Sequence, residues 1–388
     1  MRLITFTNLY PSQDMPRHGI FVEERLRHLV ATGGIDARVV ALRPAQPVFG
    51  RAQRRSEKRT MEVRAGITVD YQRVPTLPWV SNWVDPWTWA AAAEPVLREI
   101  IRQSDAPAIL DAHFLYPDGV AAAILGRRLG APVVLSARGS DVNVKCLNPI
   151  MKRWVRWAAA RCAAIITVSE ALASKLQELG IDPPILEVIP NGVDLEKFRP
   201  HDKKQSRARF GIKGKLIASV GHLVPNKGHE FAVEALVQLP DTSLLIAGDG
   251  PQKAFLQSHA KRLGVDERVH FSGVLPHGEM PYLYSAADVL VLMSGNEGMP
   301  NVVLESLACG TRVIATDVGG IREIVRSREA GALIADRSAD GLLKGLAGVN
   351  ATATTTEATR QYARQFCWQN IVGKQIALYR TALANFIR

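Results

Sequence analysis

Residues Val289–Ala315 read VLVLMSGNEGMPNVVLESLACGTRVIA, and this stretch decides the fold. Its apolar run ends at Met293 and predicts a buried strand, since short runs rich in Val and Leu are typical of parallel sheets. A glycine-containing loop follows. Pro300 suits the first turn of a helix, where its missing N–H would be unpaired anyway, and Gly310 suits the end of that helix. The run Arg312–Ala315 predicts the next strand, so the stretch is a strand–helix–strand unit.

The same alternation of short apolar runs and helical patterns extends along the chain in two series. Strands of the first series are predicted at Leu3–Thr7, Ala37–Leu42, Ala108–Ala112, Pro132–Ser136, Ala164–Val168 and Leu186–Ile189. Helices between them are predicted at Ile20–Ala31, Trp87–Gln103, Asp118–Leu129, Pro149–Ala160 and Glu170–Leu179. The second series has predicted strands at Leu216–Val220, Ser243–Ala247, Val269–Ser272, Val289–Met293 and Arg312–Ala315.

These two series predict an α/β fold class, with two doubly wound Rossmann-like domains that face a cleft. A chain of 388 residues is comfortable for two domains. The segment Pro190–Asp202 contains Pro, Gly and charges and is the predicted linker, so we expect domains over 1–192 and 193–365. The final helix, 366–388, is expected to pack back on the first domain. Ligands of such sheets bind at the carboxyl ends of the strands.

The composition is that of a globular protein with a basic excess. The net charge is +11, and 47% of the residues are hydrophobic. No run approaches the roughly 18 apolar residues of a membrane span, and the start resembles a strand more than a signal peptide, so a cytoplasmic protein is expected. No CxxC pair supports a zinc or redox site. The charge suits anionic partners such as nucleotides or lipid headgroups, whereas nucleic acid would not explain the motifs of the second half.

The helix predicted after Pro300 begins where a phosphate could bind, because the free N–H groups and the dipole of a helix start attract anions. Glu305 lies four residues after Asn301 and shares its helix face. Glu297 lies in the preceding loop, so two carboxylates flank the helix start. One can accept hydrogen bonds from both hydroxyls of a ribose and the other from a sugar. The alternative is that Glu297 caps the helix and Glu305 is a solvated surface residue.

The stretch EGMPNVVLESLACGTRVIATDVGGIREIV resembles the donor-site signature of glycosyltransferase family 4, the retaining enzymes of GT-B fold, in which a Glu, seven residues and a second Glu follow one another. VGHLVPNKGHE resembles the phosphate loop of that family, with Lys227 in the place of its Lys and His222 where many members have Arg. LIAGDGP, FSGVLPHGEMPYLYSAADVLVLMS and VIPNGVD also match family blocks. The resemblance covers nearly the entire second half of the chain.

The resemblance implies a site in which Glu305 holds the ribose and Glu297 the sugar of a nucleotide-diphosphate donor, while Val274 and Leu275 lie beside the nucleobase. The donor-binding residues that it implies are Gly19, His222, Lys227, Val274, Leu275, Glu297, Gly298, Met299, Pro300, Asn301 and Glu305. Lys227 would stabilise the charge on the leaving diphosphate. The alternative is an exposed lysine, although a cation is unfavourable at a helix start without an anion.

The first half of the chain carries Gly19 and three further candidates. In RHGIFVEERLRHL, Gly19 lies in the loop that closes over the donor phosphates in family members, and a turn glycine is the alternative. In LDAHFLYPDGV, His113 ends a strand where the family has a His beside the transferred sugar, and a core histidine is the alternative. VLSARGSDV resembles a block often written His-Gly-x-Asp, with Arg138 in place of the His. On the acceptor side, Arg138 can act only electrostatically, and Asp141 either pairs with it or caps a helix.

The activity implied by the resemblance is retaining transfer of a hexosyl-type sugar to a glycan or polyprenyl-linked acceptor, in bacterial exopolysaccharide or lipopolysaccharide synthesis. The catalytic residues that it implies are His113, Lys227 and Glu297. The chain has no Asp-x-Asp, the metal-binding motif of other glycosyltransferases, so no metal or other cofactor is expected. A nucleotide-sugar epimerase of GT-B architecture and a non-catalytic nucleotide-sugar binder are alternatives. A dinucleotide-dependent oxidoreductase would need G-x-G-x-x-G, and AGDGPQK lacks the third glycine.

Aromatic and basic stretches of the first half are candidates for contact with an anionic inner membrane. NPIMKRWVRWAAARCAA (Asn148–Ala164) predicts an amphipathic helix with cations on one face and Ile150, Trp154 and Trp157 on another. A second aromatic-rich stretch is Trp79–Trp89. The two basic clusters are Arg51, Arg54, Arg55, Lys58 and Arg59, and Lys145, Lys152, Arg153, Arg156 and Arg161. The alternatives are an ordinary domain helix with its apolar side in the core and a packed loop.

Overall fold

The computed structural model describes residues 1–16, 18–45, 59–76 and 81–387. The chain forms two compact units: unit 1 comprises Met1–Asn191 and Gln369–Arg388, and unit 2 comprises Gly192–Trp368. Each unit is an α/β domain with strands and helices in alternation, which confirms the predicted fold class. Most of the first basic cluster (Arg51, Arg54, Arg55, Lys58) and Trp79 lie outside the described residues.

Strands and helices alternate in chain order through both units. The strands are β1 (Arg2–Thr7), β2 (Asp36–Ala45), β3 (Arg59–Arg64), β4 (Ile67–Pro75), β5 (Ala108–His113), β6 (Val133–Ala137), β7 (Ala164–Thr167), β8 (Leu186–Val188), β9 (Lys215–Val220), β10 (Thr242–Ala247), β11 (Val269–Gly273), β12 (Val289–Leu292), β13 (Val313–Thr316) and β14 (Gly331–Ile334). The α-helices are α1 (Ile20–Ala31), α2 (Ser81–Arg102), α3 (Val120–Leu129), α4 (Ser140–Asn143), α5 (Pro149–Ala159), α6 (Glu170–Glu178), α7 (Lys203–Arg209), α8 (His229–Ala235), α9 (Lys253–Arg262), α10 (Met280–Ala286), α11 (Asn301–Ala308), α12 (Ile321–Ile324), α13 (Ala339–Ala351), α14 (Thr356–Ala363) and α15 (Trp368–Ile387).

The sheet of unit 1 has eight strands in the order β3-β4-β2-β1-β5-β6-β7-β8, and that of unit 2 has six in the order β11-β10-β9-β12-β13-β14. All neighbours pair in parallel except β3 and β4, which are antiparallel. In unit 2 the strand order reverses between β9 and β12. Ligands of open parallel sheets bind at such a switch point, beyond the carboxyl ends of the strands.

Both sheets are covered on their two faces, so their central strands are continuous apolar runs. In β1 the side chains of Leu3, Ile4 and Phe6 are fully buried. In unit 2, Leu244 and Ile246 of β10 pack in one core cluster with residues of β9, β12 and the surrounding helices. Each such side chain contributes about 1.5–3 kcal/mol by leaving water. Two rigid parallel sheets therefore position the loops at their carboxyl ends.

Several elements differ from the sequence prediction. α2 begins at Ser81, six residues before the predicted start at Trp87, and accommodates Pro86 and Pro95 within its length. Asp118, the predicted start, lies instead in a wide, irregular turn over Leu115–Gly119, and α3 begins only at Val120. The β3–β4 hairpin and β14 were not predicted. Among the described residues, no helix is both long and apolar enough to cross a membrane.

Candidate functional site

The loop between β12 and α11 contains the first predicted carboxylate. Pro300 has an extended backbone and occupies the position before the helix, so α11 begins one residue later, at Asn301. Gly298, Met299 and Pro300 are buried, which fixes the loop against the core of unit 2. Pro300, the residue before α11, has no side chain that could cap it. The hydrogen bonds of Glu297 run to Lys227 and Ser294, and these contacts argue against the alternative of a helix cap.

Glu297 forms an ion pair with Lys227. The Lys227 Nζ lies 2.5 Å from Glu297 Oε1, and the Ser294 hydroxyl donates to the same oxygen at 2.7 Å. The Glu297 side chain is only 12% exposed and that of Lys227 24%. Since both bonds end on Oε1, they orient the carboxylate without using Oε2, whose lone pairs can accept hydrogen bonds from a ligand.

Glu305 lies on α11 and is held by the segment that follows β11. The Tyr284 hydroxyl donates to Glu305 Oε2 at 2.7 Å, and His277 Nε2 lies 3.5 Å from Oε1. Burial, followed by the charge of Glu305, raises the pKa of Tyr284 well above its usual value, so this hydroxyl keeps its proton. Because the Glu305 side chain is 14% exposed, it is not the solvated surface residue of the alternative interpretation.

Lys227 belongs to a turn between β9 and α8. The turn Pro225–Lys227 ends at Gly228, which has φ 65° and precedes α8. A Cβ at Gly228 would lie 2.3 Å from the Met293 carbonyl oxygen. Glycine is therefore required where the Lys227 loop touches the end of β12. The loops after β9 and β12, the strands on either side of the switch point, are thus in direct contact.

His222 lies in the same loop but makes a different contact. Its exposed side chain places Nδ1 2.5 Å from the Asp249 carbonyl oxygen. A carbonyl only accepts, so Nδ1 carries the proton and donates, and a neutral His222 presents an unprotonated Nε2. Only the imidazolium form could donate to a phosphate. His222 is therefore a weaker phosphate ligand in this geometry than Lys227.

Val274 and Leu275 follow the end of β11. Val274 is 54% exposed and Leu275 half-buried. An apolar side chain at the carboxyl end of a strand can cover the face of a planar ring. Further along the same segment, His277 and Tyr284 reach Glu305. This segment therefore connects the predicted nucleobase residues with the predicted ribose residue.

In unit 1, His113 ends β5 and is fully buried. Arg138 Nη2 contacts its Nδ1, and its Nε2 lies 2.9 Å from Asp111 Oδ2. A guanidinium only donates, so Nδ1 is the acceptor and Nε2–H donates to the carboxylate. Burial lowers the pKa of His113 to about 4. In this geometry both ring nitrogens are occupied within unit 1, and the catalytic role of His113 stays a prediction.

Arg138 is held inside unit 1 as well. Besides His113, its guanidinium donates to Asn191 Oδ1 at 3.0 Å. Burial and the nearby Arg25 lower the pKa of Arg138 to about 9, which leaves it cationic at neutral pH. Arg25, which is also buried, donates to Gln375 Oε1 and to the Pro190 carbonyl. The partly buried Arg138 and the fully buried Arg25 thus bind the segment of Pro190 and Asn191 at the end of unit 1's first chain stretch.

Asp141 organises the loop between β6 and α4. Its carboxylate accepts from the backbone N–H groups of Arg138, Gly139, Val142 and Leu115 at 2.8–3.2 Å. Burial raises the pKa of Asp141. Of the two alternatives for Asp141, the contacts favour the capping of backbone amides over an ion pair with the Arg138 side chain.

Gly19 precedes α1 in a left-handed conformation, with φ 71°. A Cβ there would lie 2.2 Å from the Leu9 carbonyl oxygen, so no other residue fits without a backbone shift. The His18 ring, through Nε2, lies 3.0 Å from the Asn8 carbonyl oxygen. The packing of unit 1 therefore requires glycine at position 19 by itself. The predicted approach of Gly19 to phosphates would be an additional role.

Three residues that hold the site in unit 2 were not predicted. Ser294 and Tyr284 orient the two carboxylates, and Arg337 connects the loops that carry Lys227 and Glu297. Ser294 lies within the family block, three residues before Glu297. Its position in that block could have identified it as a site residue. Arg337 lies 40 residues beyond Glu297 in the sequence. A side chain that binds backbone carbonyls has no characteristic local sequence pattern, so Arg337 could not be predicted.

Comparisons with known proteins agree with these observations. Residues 19–197 match the family model "Glycosyltransferase Family 4", and residues 202–366 match "Glycosyl transferases group 1". A Bacillus subtilis (strain 168) protein named as a teichuronic acid biosynthesis glycosyltransferase, TuaC, is 31% identical over 401 aligned positions, which cover 100% of this chain and 95% of the relative.

Solved structures show the same fold. Sucrose-phosphate synthase from Thermosynechococcus elongatus has a TM-score of 0.79 and 20% identity, over 99% of both chains. Anabaena HepE in complex with UDP-glucose has a TM-score of 0.74 and 20% identity, over 97% of this chain and 99% of that one. The fold is therefore GT-B, and with family models over both halves and a relative that spans it entirely, the chain belongs to glycosyltransferase family 4.

Proposed function

We propose that this protein is a retaining glycosyltransferase that moves a hexosyl group from a nucleotide-diphosphate sugar to a glycan or lipid-linked acceptor in bacterial surface-polysaccharide synthesis. The observation that carries the proposal is the Lys227–Glu297 pair beside the start of α11. A cation and a carboxylate with a free oxygen are what a sugar diphosphate needs, since the first binds phosphate and the second accepts from sugar hydroxyls. The kinship with TuaC supports a surface polysaccharide as the product.

In this proposal the bond between the anomeric carbon and the diphosphate oxygen breaks while the acceptor hydroxyl oxygen bonds to that carbon on the same face, and the hydroxyl proton passes to the leaving diphosphate. The leaving diphosphate gains negative charge, which Lys227 and the N–H groups at the start of α11 would stabilise. Glu305 would hold the ribose, with Tyr284 fixing one oxygen. Glu297 would hold the sugar. Because Lys227 and Ser294 already bind its Oε1, we assign Glu297 to sugar binding and not to nucleophilic attack.

The proposal is tested by a screen of nucleotide sugars that measures thermal stabilisation, since a ligand that binds the native state raises the Tm. Product formation with lipid-linked acceptors then separates a transferase from a non-catalytic binder or an epimerase. We expect stabilisation by one nucleoside diphosphate and its sugar derivatives, and undiminished transfer in excess EDTA, because the chain lacks Asp-x-Asp. No stabilisation by any nucleotide sugar would overturn the proposal, and a loss of transfer that magnesium restores would overturn its metal-independent form.

We further propose that unit 1 contacts an anionic membrane from the cytoplasmic side. Residues 142–169 contain five Lys or Arg and no Asp or Glu. Leu147, within this region and before α5, is 66% exposed, and Trp83 on the neighbouring α2 is 56% exposed. Trp87 of α2 packs edge-on against Trp154 of α5 at 4.5 Å between ring centroids, so the aromatic groups of the two helices form one cluster. Cations beside a partly exposed aromatic cluster suit an anionic bilayer interface.

Vesicle flotation tests this contact. A variant with Lys152, Arg153 and Arg156 changed to Gln is expected to lose about 3 kcal/mol of affinity for phosphatidylglycerol vesicles, or ~100-fold, at about 1 kcal/mol per cation. The matched control changes Lys253, Lys261 and Arg262 of α9 in the same way. Equal binding to phosphatidylcholine vesicles, or an equal loss in the control, would refute the assigned surface.

A further inference from the structure

Arg337 lies in the loop between β14 and α13 and binds three backbone carbonyls of unit 2. Its Nε donates to the Met293 oxygen at 2.7 Å. Its Nη2 donates to the oxygens of Pro225 at 2.7 Å and Asn226 at 3.2 Å. The guanidinium also lies over the Phe231 ring, 5.1 Å from its centroid.

The bound carbonyls belong to the two loops that carry Lys227 and Glu297. Pro225 and Asn226 immediately precede Lys227, and Met293 begins the loop of Glu297. The loops also touch each other directly, because the Gly295 N–H donates to the Asn226 oxygen at 2.8 Å. Asn226 Nδ2 donates weakly to the Asn296 oxygen, at 3.3 Å. Arg337 therefore closes a small network in which every carbonyl lies within four residues of Lys227 or Glu297.

A guanidinium is suited to this task by its shape. Its N–H groups point outward in a rigid plane, so one side chain can hold carbonyls of two chain segments at a fixed separation. A lysine ammonium retains the charge and the contact with an aromatic ring but lacks the planar fork. Arg337 can therefore fix the spacing of the two loops through its geometry as well as its charge, in addition to the direct contacts between them.

We propose that Arg337 is a positioning residue that holds Lys227 and Glu297 at the separation required by a sugar diphosphate. The inference rests on the proposed function, since it assumes that these two residues bind the donor. Arg337 acts through the two loops and makes no assumed contact with the donor itself. The nucleoside would be held elsewhere, by Glu305 and by the segment of Val274 and Leu275. Loss of Arg337 should consequently weaken the binding of the diphosphate and spare that of the nucleoside.

The experiment compares nucleoside diphosphates with their monophosphates, measured by calorimetry on the full chain with UDP, GDP, ADP and TDP. We expect wild-type protein to bind one diphosphate at least about tenfold more tightly than its monophosphate, and Arg337→Ala to reduce this ratio to about threefold or less. Arg337→Lys should not restore the ratio. Because both affinities are measured on one preparation, a smaller folded fraction does not change their ratio.

Arg268→Ala is the matched control. Arg268 also binds three backbone carbonyls of unit 2, those of Leu236, Leu239 and Thr242 at 2.6–2.9 Å. The Arg268→Ala variant should be less stable and keep the wild-type ratio of diphosphate to monophosphate affinity. An unchanged ratio in Arg337→Ala, full rescue by Arg337→Lys, or an equal fall in Arg268→Ala would overturn the positioning role alone. Wild-type protein that binds none of the four diphosphates would overturn the proposed function and this inference together.

Discussion

The predicted site residues of the two units differ in exposure and in hydrogen bonding. In unit 2, Lys227, Glu297 and Glu305 remain partly exposed and retain lone pairs or N–H groups that a ligand can use. In unit 1, His113 and Asp141 are fully buried, and the described protein groups around them take up both ring nitrogens of His113 and both oxygens of Asp141. A buried polar group must find partners in the fold because water cannot supply them.

The difference teaches how to weigh motif residues that look alike in a sequence. A motif residue that is partly exposed and partly bonded is available for binding. One that is fully buried and fully bonded holds the loop on which other groups lie. We therefore expect substitutions in unit 2 to change affinity for the donor, and substitutions in unit 1 to change stability first.

The largest effect is expected from Glu305→Ala. It removes a carboxylate that we assign to two ribose hydroxyls, and charge-assisted hydrogen bonds are worth about 1.5–3 kcal/mol each. Affinity for the nucleotide sugar should fall by about 10²–10⁴-fold in calorimetry, while the Tm falls only by the amount that an unpaired Tyr284 hydroxyl costs. Glu279→Ala, which removes a surface partner of Arg209, is the control. Undiminished binding in Glu305→Ala would remove Glu305 from the donor site.

Lys227→Met should lower kcat/KM by about 10²–10³-fold, because a positioned cation stabilises the leaving diphosphate most strongly in the transition state. The variant also leaves Glu297 without its cation. Lys203→Met is a matched control, since Lys203 pairs with Asp288 at 2.7 Å on the surface of the same unit. Initial rates with the donor found in the screen provide the measurement. Equal rates in the two variants would make Lys227 an ordinary surface lysine.

Asp141→Ala tests the other half of the comparison. It leaves four buried or half-buried backbone N–H groups without their acceptor, which should lower the free energy of unfolding by about 3 kcal/mol. Affinity for the nucleotide sugar should stay within about twofold of wild type. Urea denaturation gives the first quantity and calorimetry the second. A large loss of affinity at unchanged stability would show that Asp141 acts on the ligand.

His113 should make the free energy of unfolding depend on pH, and the sign of this dependence follows from its pKa. Its pKa is about 4 in the folded chain and about 6.5 when unfolded. As the pH falls below 6.5 the unfolded state binds the proton first, so stability is lost between about pH 6.5 and 4 and is flat outside this window. Between pH 7.5 and 5 the loss is about 2 kcal/mol.

His113→Gln should remove this part of the slope in urea denaturation measured at several pH values. His229 in unit 2 is an internal control, because burial lowers its pKa to about 4 as well. His113→Gln should therefore retain the contribution of His229, and the double variant should be nearly flat over this range. A slope unchanged by His113→Gln would mean that the pKa of His113 is the same in the folded and the unfolded chain.

The sequence was sufficient for the fold class and for most strands, because parallel strands are apolar runs of characteristic length. It was insufficient for the β3–β4 hairpin. Ala65 and Gly66 form its two-residue turn with φ 48° and 78°, a conformation that usually requires Asn or Asp before the Gly. Ala65 therefore gave no turn signal. In β3, at the sheet edge, the apolar residues Met61 and Val63 are exposed among charged neighbours, so the run does not resemble a buried strand.

The site, like the fold, could be predicted from the sequence only in part. Spacing in the sequence placed Glu297 and Glu305 around the start of α11, and the structure brings Lys227 to Glu297 as a pair. Spacing could not show that Arg138 donates to the ring of His113 or that Asp141 binds backbone amides, because these contacts join segments whose approach depends on the packed sheet. Nor could it reveal Arg337, whose acceptors are carbonyls that every residue possesses.

The smallest effect is expected from Ser294→Ala, and it sharpens the comparison most. Ser294 is fully buried like the polar groups of unit 1, yet its hydroxyl donates to a carboxylate of unit 2 that a ligand can reach. Its loss should cost about 1 kcal/mol, or ~5-fold in affinity for the nucleotide sugar, because Glu297 remains held by Lys227 alone. Affinity for the free nucleoside diphosphate should not change, since Glu297 is assigned to the sugar. Ser285→Ala, which removes a buried hydroxyl bonded to the Pro281 oxygen, should change neither affinity. If Ser294→Ala weakened the binding of both ligands equally, Glu297 would contact the diphosphate. Burial alone would then not distinguish residues that orient a ligand-binding group from residues that hold a loop.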